Sequence, residues 1–302
     1  MNKKSVVDEL VTIKDFIRWG YCQLNQADVY YGHGTDNAMD EIFMLVMASL
    51  HLQPEEADKF LDCRLTADEK ETLAQRLDKR ISLRIPTAYL THEAWFAGLP
   101  FYVDERVLIP RSPLAELIDA QFTPWIDPEQ VHRILDLCTG SACIAIACAY
   151  AFPGVQVDAA DISDDALDVA KTNIGRHALG EQVEAIQSDL MDDLAGRHYD
   201  IIVCNPPYVS AEEMQTLPQE YLYEPKIALQ SGQDGLNIVK QILRDAGAHL
   251  SPNGILIVEV GNSQPALINA FPDMPFLWLE FSRGGDGVLL LTAEQLQSYQ
   301  FI

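Results

Sequence analysis

Residues 134–144 read ILDLCTGSACI, and this stretch decides the fold. Its first half is apolar except for Asp136, and its second half is a turn of small residues that opens an apolar helix. Doubly wound α/β folds bind nucleotides at such a turn, because helix N-termini attract negative groups and small residues let a ligand approach the backbone. On its own, the turn is equally compatible with a tight structural connection between a strand and a helix.

Strand and helix patterns alternate on both sides of this stretch. Buried-strand patterns cover residues 133–137, 155–160, 183–187, 200–204, 255–260, 276–281 and 287–291, and helical patterns fit at 142–151, 163–179 and 236–250. Such alternation predicts a parallel sheet covered on both faces. Residues 282–286 leave no room for a crossover helix, so the last two strands are expected to pair antiparallel. The sequence therefore predicts an α/β domain built on a seven-stranded mixed sheet.

The first 92 residues have a helical pattern instead. The apolar residues of a first helical face are Val6, Leu10, Ile13 and Ile17. A second apolar segment covers residues 42–52, and a capping box at residues 66–69, reading TADE, predicts a third helix. Two short strand patterns flank a turn at residues 98–100. We therefore predict a small all-helical domain at 1–92, a β-hairpin linker at 93–112 and the α/β domain at 113–302.

The composition restricts the possible partners. The chain has 21 Lys and Arg against 45 Asp and Glu, a net charge of −24. Such a field repels naked nucleic acid and attracts basic proteins, although part of it also serves solubility. No apolar run is long enough for a membrane span, and the basic start leads into acids rather than an apolar signal region. These features predict a cytoplasmic protein that binds neither membrane nor nucleic acid directly.

The six cysteines show neither C-x-x-C pairs nor the spacing of a zinc site with histidine, so we expect free thiols and no metal.

Two more acids follow neighbouring strands. Asp161 ends the second strand about 20 residues past the turn, where a ribose-hydroxyl acceptor is expected, and it is equally placed to cap the helix beginning at Ser163. Asp189 follows the third strand. With Asp136, these acids suit a cationic adenosyl ligand better than a pyrophosphate.

The fourth strand leads into residues 205–209, which read NPPYV. Two prolines fix the backbone and remove two donors. The side-chain oxygen of Asn205 and the carbonyl of Pro206 are thereby presented as acceptors beside the ring of Tyr208. This arrangement predicts a site that holds an –NH2 group by both hydrogens and stacks its plane on an aromatic ring.

These motifs together resemble the class I AdoMet-dependent methyltransferases that act on exocyclic or amide nitrogens. The helical block, the hairpin, residues 107–111 reading VLIPR and the NPPYV segment are most similar to HemK-type protein glutamine N5-methyltransferases. Within that family, residues 31–37, 88–91 and 111–113 resemble the branch that modifies large ribosomal subunit protein three. The release-factor branch typically reads RPET after the same Ile-Pro, where this chain reads RSPL.

The resemblance implies a Rossmann-like class I methyltransferase fold whose N-terminal helical domain recognises the substrate. It implies methyl transfer from S-adenosyl-L-methionine (AdoMet) to a glutamine amide of large ribosomal subunit protein three, with S-adenosyl-L-homocysteine as product. The residues implied in catalysis are Asn205, Pro206, Pro207 and Tyr208. Those implied in cofactor binding are Asp136, Thr139, Gly140, Ser141, Ala142 and Cys143 at the methionine end, Asp161 at the ribose, Asp189 at the adenine, and Asn205. Phe101 and Arg111 are expected to line the entrance.

Two positions depart from the family pattern. Ala142 stands where the family usually has a glycine, and a positive φ there would cost roughly 1–2 kcal/mol. Cys138 also stands where relatives often have glycine. Three alternatives remain: a release-factor methyltransferase, a DNA or RNA adenine N6-methyltransferase, and a non-catalytic AdoMet-binding or ribosome-assembly factor. The acidic composition counts against a nucleic-acid substrate, and the intact NPPY motif counts against a non-catalytic protein.

Overall fold

The structure, a computed structural model, describes residues 7–282 and 284–301. The chain forms two compact units. The first ends at Ala94 and also includes Pro218–Tyr223, and the second contains Trp95–Leu217 and the chain from Glu224 onward. The roles predicted for the helical domain and the linker stay predictions.

The first unit consists of helices α1 to α4. Their bounds are Ile13–Ala27, Ala38–Ser49, Ala67–Ser82 and Thr87–Thr91. The capping box between Thr66 and Glu69 at the start of α3 is confirmed. The single helical face predicted from residue 6 to residue 17 is wrong, because Thr12 is extended and caps a new helix in a box with Asp15. Val6 itself lies outside the described residues.

A buried ion cluster holds the Pro218–Tyr223 segment in the first unit. Arg80 is 1% exposed and donates to Glu41 at 2.5 Å and to Glu220 at 3.1 Å. It also donates to the carbonyl of Tyr30 at 2.6 Å. Removing one partner of such a cluster leaves an uncompensated buried charge, which costs about 3–5 kcal/mol. The segment is therefore firmly part of the helical unit although it follows the NPPY motif in sequence.

The second unit begins with a hairpin of β1 (Ala94–Phe96) and β2 (Leu99–Phe101), followed by a seven-stranded sheet. The sheet strands β3 to β9 are Arg133–Leu137, Gln156–Asp161, Val183–Gln187, Tyr199–Cys204, Leu250–Glu259, Leu277–Trp278 and Val288–Thr292. The helices α5 to α10 are Leu114–Asp119, Cys143–Ala151, Asp164–Arg176, Asn237–His249, Gln264–Ala270 and Ala293–Ser298. The strand order is β5-β4-β3-β6-β7-β9-β8, with β3 to β7 parallel. This order confirms the predicted mixed sheet.

The end of the sheet differs in detail from the prediction. Strands β8 and β9 pair antiparallel as expected, but β9 also pairs with β7 and so lies inside the sheet. Strand β8 then has only one neighbour and shortens to two residues. Strand β7 begins at Leu250, five residues earlier than predicted, because Leu250 pairs with Tyr199 of β6 before a shift in register that spans the Pro-Asn-Gly stretch.

Two apolar layers cover the sheet. Ile134 packs into the layer that contains α6 and α7, while its neighbour Leu135 packs into the layer that contains α8 and α10. Because strands β3 to β7 run parallel, their carboxyl ends meet at one edge of the sheet. Loops are free to build a site at that edge. Within the described residues, no helix is long and apolar enough to cross a membrane.

The turn between β3 and α6 passes through left-handed backbone at Cys138, Gly140 and Ala142. Ala142 has φ 63° and ψ 23°, and its side chain is fully buried in the core. The concern raised by the sequence is therefore justified, since alanine in this conformation costs roughly 1–2 kcal/mol. Burial of its methyl group offsets about 0.8 kcal/mol of that cost.

Because these two effects oppose each other, Ala142→Gly should change the free energy of unfolding by less than about 1 kcal/mol. Ala142→Val should destabilise by about 2–3 kcal/mol, since a β-branched side chain suits neither the backbone nor the packed site. Urea denaturation measures both. The matched control is Ala147→Gly in the middle of α6, which should cost about 1–2 kcal/mol because no strain is relieved. Equal losses in the two glycine variants would contradict the strain.

Candidate active site

Asp136, near the end of β3, organises the turn that follows. Its side chain is fully buried, and one oxygen accepts from the Thr139 hydroxyl at 2.5 Å and from the Ala145 amide at 3.0 Å. Its other oxygen, Oδ1, is buried without a hydrogen-bond partner among the described residues. Burial raises the pKa of Asp136 to about 7, and the nearby Asp161 adds to the rise. Such an oxygen is costly unless a donor or a cation meets it.

Asp161, at the end of β4, ties two loops together. One carboxylate oxygen accepts from the Gly140 amide at 2.9 Å, and the other accepts from the Ser163 amide at 2.9 Å. The cap of α7 is Ser163, whose hydroxyl accepts from the Ala166 amide. Burial raises the pKa of Asp161. Asp161 therefore positions the capping residue rather than capping the helix, and each of its oxygens still has a lone pair for a ligand.

A cavity of about 200 Å³ lies at this edge of the sheet. The residues singled out from the sequence that line it are Gly140, Asp161, Asp189, Asn205 and Pro207, together with Cys138. Asp189 is exposed, so its carboxylate stays hydrated until a ligand binds. Four further predicted residues form the buried base of the turn rather than the cavity wall: Thr139, Ser141, Ala142 and Cys143. Arg106, Val107 and Leu108 also line the cavity, which sequence reasoning missed.

The NPPY motif follows β6 directly. Asn205 is half-buried and its side chain makes no hydrogen bond within the described part of the chain, while Pro206 is buried. Tyr208 is held at two points: its hydroxyl donates to Glu259 at 3.2 Å, and its carbonyl accepts from the Ser263 hydroxyl at 2.7 Å. The motif therefore presents a free amide at the cavity and a fixed aromatic ring beside it.

Glu259 is the main functional candidate that the sequence analysis missed. It ends β7, is 5% exposed, and accepts from the Ser112 hydroxyl at 2.5 Å as well as from Tyr208. Burial raises the pKa of Glu259 to about 7, and the nearby Arg111 acts in the opposite direction. A signal was present, because an acid closing an apolar strand is the pattern that drew attention to Asp161.

Arg111 is bound to a second buried carboxylate rather than standing free at an entrance. It donates to both oxygens of Glu224, at 2.5 and 2.6 Å, and the Ile109 amide donates to the same group. The expectation for Phe101 is wrong, since it is 1% exposed and packs in the core next to α5 and α6. An aromatic residue on a short strand was more suited to the core than to an entrance.

Comparisons with known proteins identify the family of this chain. Residues 121–233 match the family described as Methyltransferase small domain. The chain is 47% identical to the ribosomal protein uL3 glutamine methyltransferase of Francisella tularensis, covering 99% of this chain and 95% of the relative. It is also 47% identical to the protein of that name from Bordetella pertussis, covering 96% and 98%.

Among solved structures, the hMettl16 catalytic domain in complex with the MAT2A 3'UTR hairpin 6 is similar with a TM-score of 0.49 and 17% identity, covering 75% of this chain and 81% of that chain. The sequence relatives are far closer and extend over almost the whole chain. On that identity and coverage, this protein belongs to the family of ribosomal protein uL3 glutamine methyltransferases.

Proposed function

We propose that this protein transfers a methyl group from AdoMet to the side-chain amide nitrogen of a glutamine in ribosomal protein uL3, leaving S-adenosyl-L-homocysteine. The observation that carries the proposal is the position of Asn205. Its amide lines the same cavity as Asp161 and Asp189, so one member of the proposed acceptor clamp and two acids share one space. The names of two relatives with 47% identity supply the substrate.

The residues of the cavity fit AdoMet, which carries positive charge at its sulfonium and its amino group. Asp136 does not line the cavity itself but lies just before Cys138 and Gly140, which do. Among the described residues its buried Oδ1 has no partner that a cationic group would replace. Asp161 would accept from the ribose hydroxyls and Asp189 from the adenine amine. Arg106 also lines the cavity, but Asp104 binds its guanidinium through both carboxylate oxygens and neutralises it. When bound, AdoMet supplies a methyl group already activated for displacement.

The chemistry left to this chain is mainly alignment. An amide nitrogen is a poor nucleophile because its lone pair is delocalised, so the substrate glutamine has to be held with that nitrogen facing the methyl group. The side-chain oxygen of Asn205 and the carbonyl of Pro206 accept its two N–H bonds and stabilise the positive charge that develops on nitrogen. The ring of Tyr208 supports the amide plane. The proton then leaves through these acceptors or to water, without a dedicated general base.

The substrate is tested by comparing ribosomal proteins and release factors from cells with and without the gene by peptide mass spectrometry. One methyl group should disappear from a single glutamine of uL3, while release-factor glutamines stay methylated. Purified protein with radiolabelled AdoMet should then label unmethylated uL3 in vitro. A missing methyl on a release factor or on RNA would show that the proposal is wrong.

Asn205→Ala should nearly abolish methylation while AdoMet affinity stays within about threefold of wild type. Loss of one oriented acceptor in a dry site costs on the order of 3 kcal/mol, or about two powers of ten in rate. Radiolabel transfer gives the rate, and calorimetry gives the affinity. Asn25→Ala is the control, since Asn25 is exposed and its side chain donates to the Tyr21 carbonyl of its own helix, far in sequence from the motif. Near-normal turnover of Asn205→Ala would rule out the assigned role.

AdoMet affinity should fall as the pH is lowered from 7.5 to 5.5, by up to about tenfold per unit below the pKa of Asp136 near 7. A cation binds the ionised carboxylate, whereas at lower pH the free protein holds a proton that binding must displace. Titration calorimetry in two buffers of different ionisation heat should detect that released proton. The melting temperature at each pH shows that the protein stays folded. A flat affinity over this range would mean that Asp136 does not meet the cation.

A further inference from the structure

Glu259 lies at the carboxyl end of β7, beside the NPPY motif that follows β6. In the parallel pairing of β6 and β7, Cys204 is opposite Val258, so Asn205 follows β6 beside Glu259, the last residue of β7, which still pairs with Val288 of β9. Glu259 is 5% exposed and does not itself line the cavity. Any effect that it has on the cavity therefore passes through the groups that it binds.

One of these groups is the hydroxyl of Tyr208, in the NPPY motif that is proposed to hold the methyl acceptor. The Tyr208 hydroxyl donates to one oxygen of Glu259, and the residues just after Glu259 support the rest of the tyrosine. A Cβ atom on Gly261 would lie 2.7 Å from the tyrosine ring, so only glycine fits behind it. The Ser263 hydroxyl donates to the Tyr208 carbonyl at 2.7 Å. The ring thus has one position, set by the end of β7.

The other group belongs to the donor side. The Ser112 hydroxyl donates to the second oxygen of Glu259 at 2.5 Å, and the same hydroxyl accepts from the Leu114 amide at the start of α5. Ser112 ends the 106–112 segment, whose first three residues line the cavity. Glu224 fixes the middle of that segment through Ile109 and Arg111. A single carboxylate therefore connects this wall of the cavity with the tyrosine of the NPPY motif.

We propose that Glu259 is a positioning residue for methyl transfer, which holds Tyr208 and the 106–112 segment in one fixed arrangement through its two oxygens. The proposal rests on the proposed function, because it assigns Tyr208 to the acceptor and the segment to the donor pocket. Because Glu259 is buried and does not line the cavity, its role is geometric rather than that of a base. Burial disfavours the charged form of this carboxyl, so a neutral group of the same shape is expected to serve.

That last point makes Glu259→Gln the decisive variant. The side-chain oxygen of the new glutamine accepts from one of the two hydroxyls, those of Ser112 and Tyr208. The other hydroxyl turns and accepts from the amide NH2 group, so both contacts persist. Glu259→Ala removes both contacts, and Tyr208→Phe removes only the acceptor-side contact. The matched control is Tyr199→Phe, because the Tyr199 hydroxyl donates to buried Asp158 at 2.7 Å from the opposite end of β6.

Steady-state methylation of uL3 by each variant gives kcat and KM, and calorimetry and thermal melting give AdoMet affinity and stability. Tyr208→Phe should lower kcat about tenfold, and Glu259→Ala at least as much, with KM for uL3 within about twofold. Glu259→Gln should stay within about threefold of wild-type kcat. The double variant Tyr208→Phe/Glu259→Ala should be no slower than Glu259→Ala. Tyr199→Phe should lower the melting temperature and leave kcat unchanged.

Two outcomes overturn the proposal. If Glu259→Gln is as slow as Glu259→Ala, the charge of the carboxylate matters rather than its geometry. If the effects of Tyr208→Phe and Glu259→Ala multiply, the two residues act independently. Should Glu259→Ala fail to fold, Tyr208→Phe and Glu259→Gln still decide, since a rate change in the second variant alone refutes the geometric role.

Failure of the proposed function has a different signature. If wild-type protein methylates a release factor instead of uL3, the function is wrong and the same kinetic comparison is made with that substrate. If wild-type protein methylates no protein in that panel, both proposals are overturned together.

Discussion

The fold and the site both depend on burying one carboxylate, that of Asp136, near the end of β3. Its hydrogen bonds to Thr139 and Ala145 close the turn and start α6, and this arrangement places three residues in left-handed backbone. A buried carboxylate is costly, and here one oxygen has no partner in the described chain. A cationic ligand would remove that cost. The group that is costly in the free protein is thereby the one that we expect to favour a bound cation.

Four acids lie along this edge of the sheet, and they are buried to different degrees. Asp136 and Glu259 are buried, Asp161 is partly covered and Asp189 is exposed, although each stands at or just after the end of a parallel strand. Burial decides their chemistry. The buried pair have pKa values raised to about 7 and organise backbone or hydroxyl groups. The more accessible acids stay available to a ligand. Strand position alone therefore does not define a role.

The sequence predicted what depends on local pattern. Apolar runs located the strands, and short motifs located Asp136, Asp161 and Asn205 at one edge. It could not predict that β9 enters between β7 and β8, because the choice of a strand's neighbour is made by tertiary packing. It also could not link Ser112 or Tyr208 to Glu259, since those contacts join residues 147 and 51 positions apart. The start of the first helix was predicted wrongly for a local reason, because Asp15 replaces the usual Glu or Gln of a capping box at Thr12.

Charge and short-range geometry affect substrate selection in different ways. The acidic excess lies mainly in the second unit, which contains the cavity, rather than in the helical unit where a docking role is predicted. Such a field raises the encounter rate with any basic partner and fades within about 8 Å at physiological salt. It cannot distinguish one glutamine from another. That selection requires short-range contacts, and the proposed clamp of Asn205, Pro206 and Tyr208 would supply them for any planar group that carries two N–H bonds. Since the clamp recognises an –NH2 group in general, the choice among amide-bearing proteins has to come from surface outside the cavity.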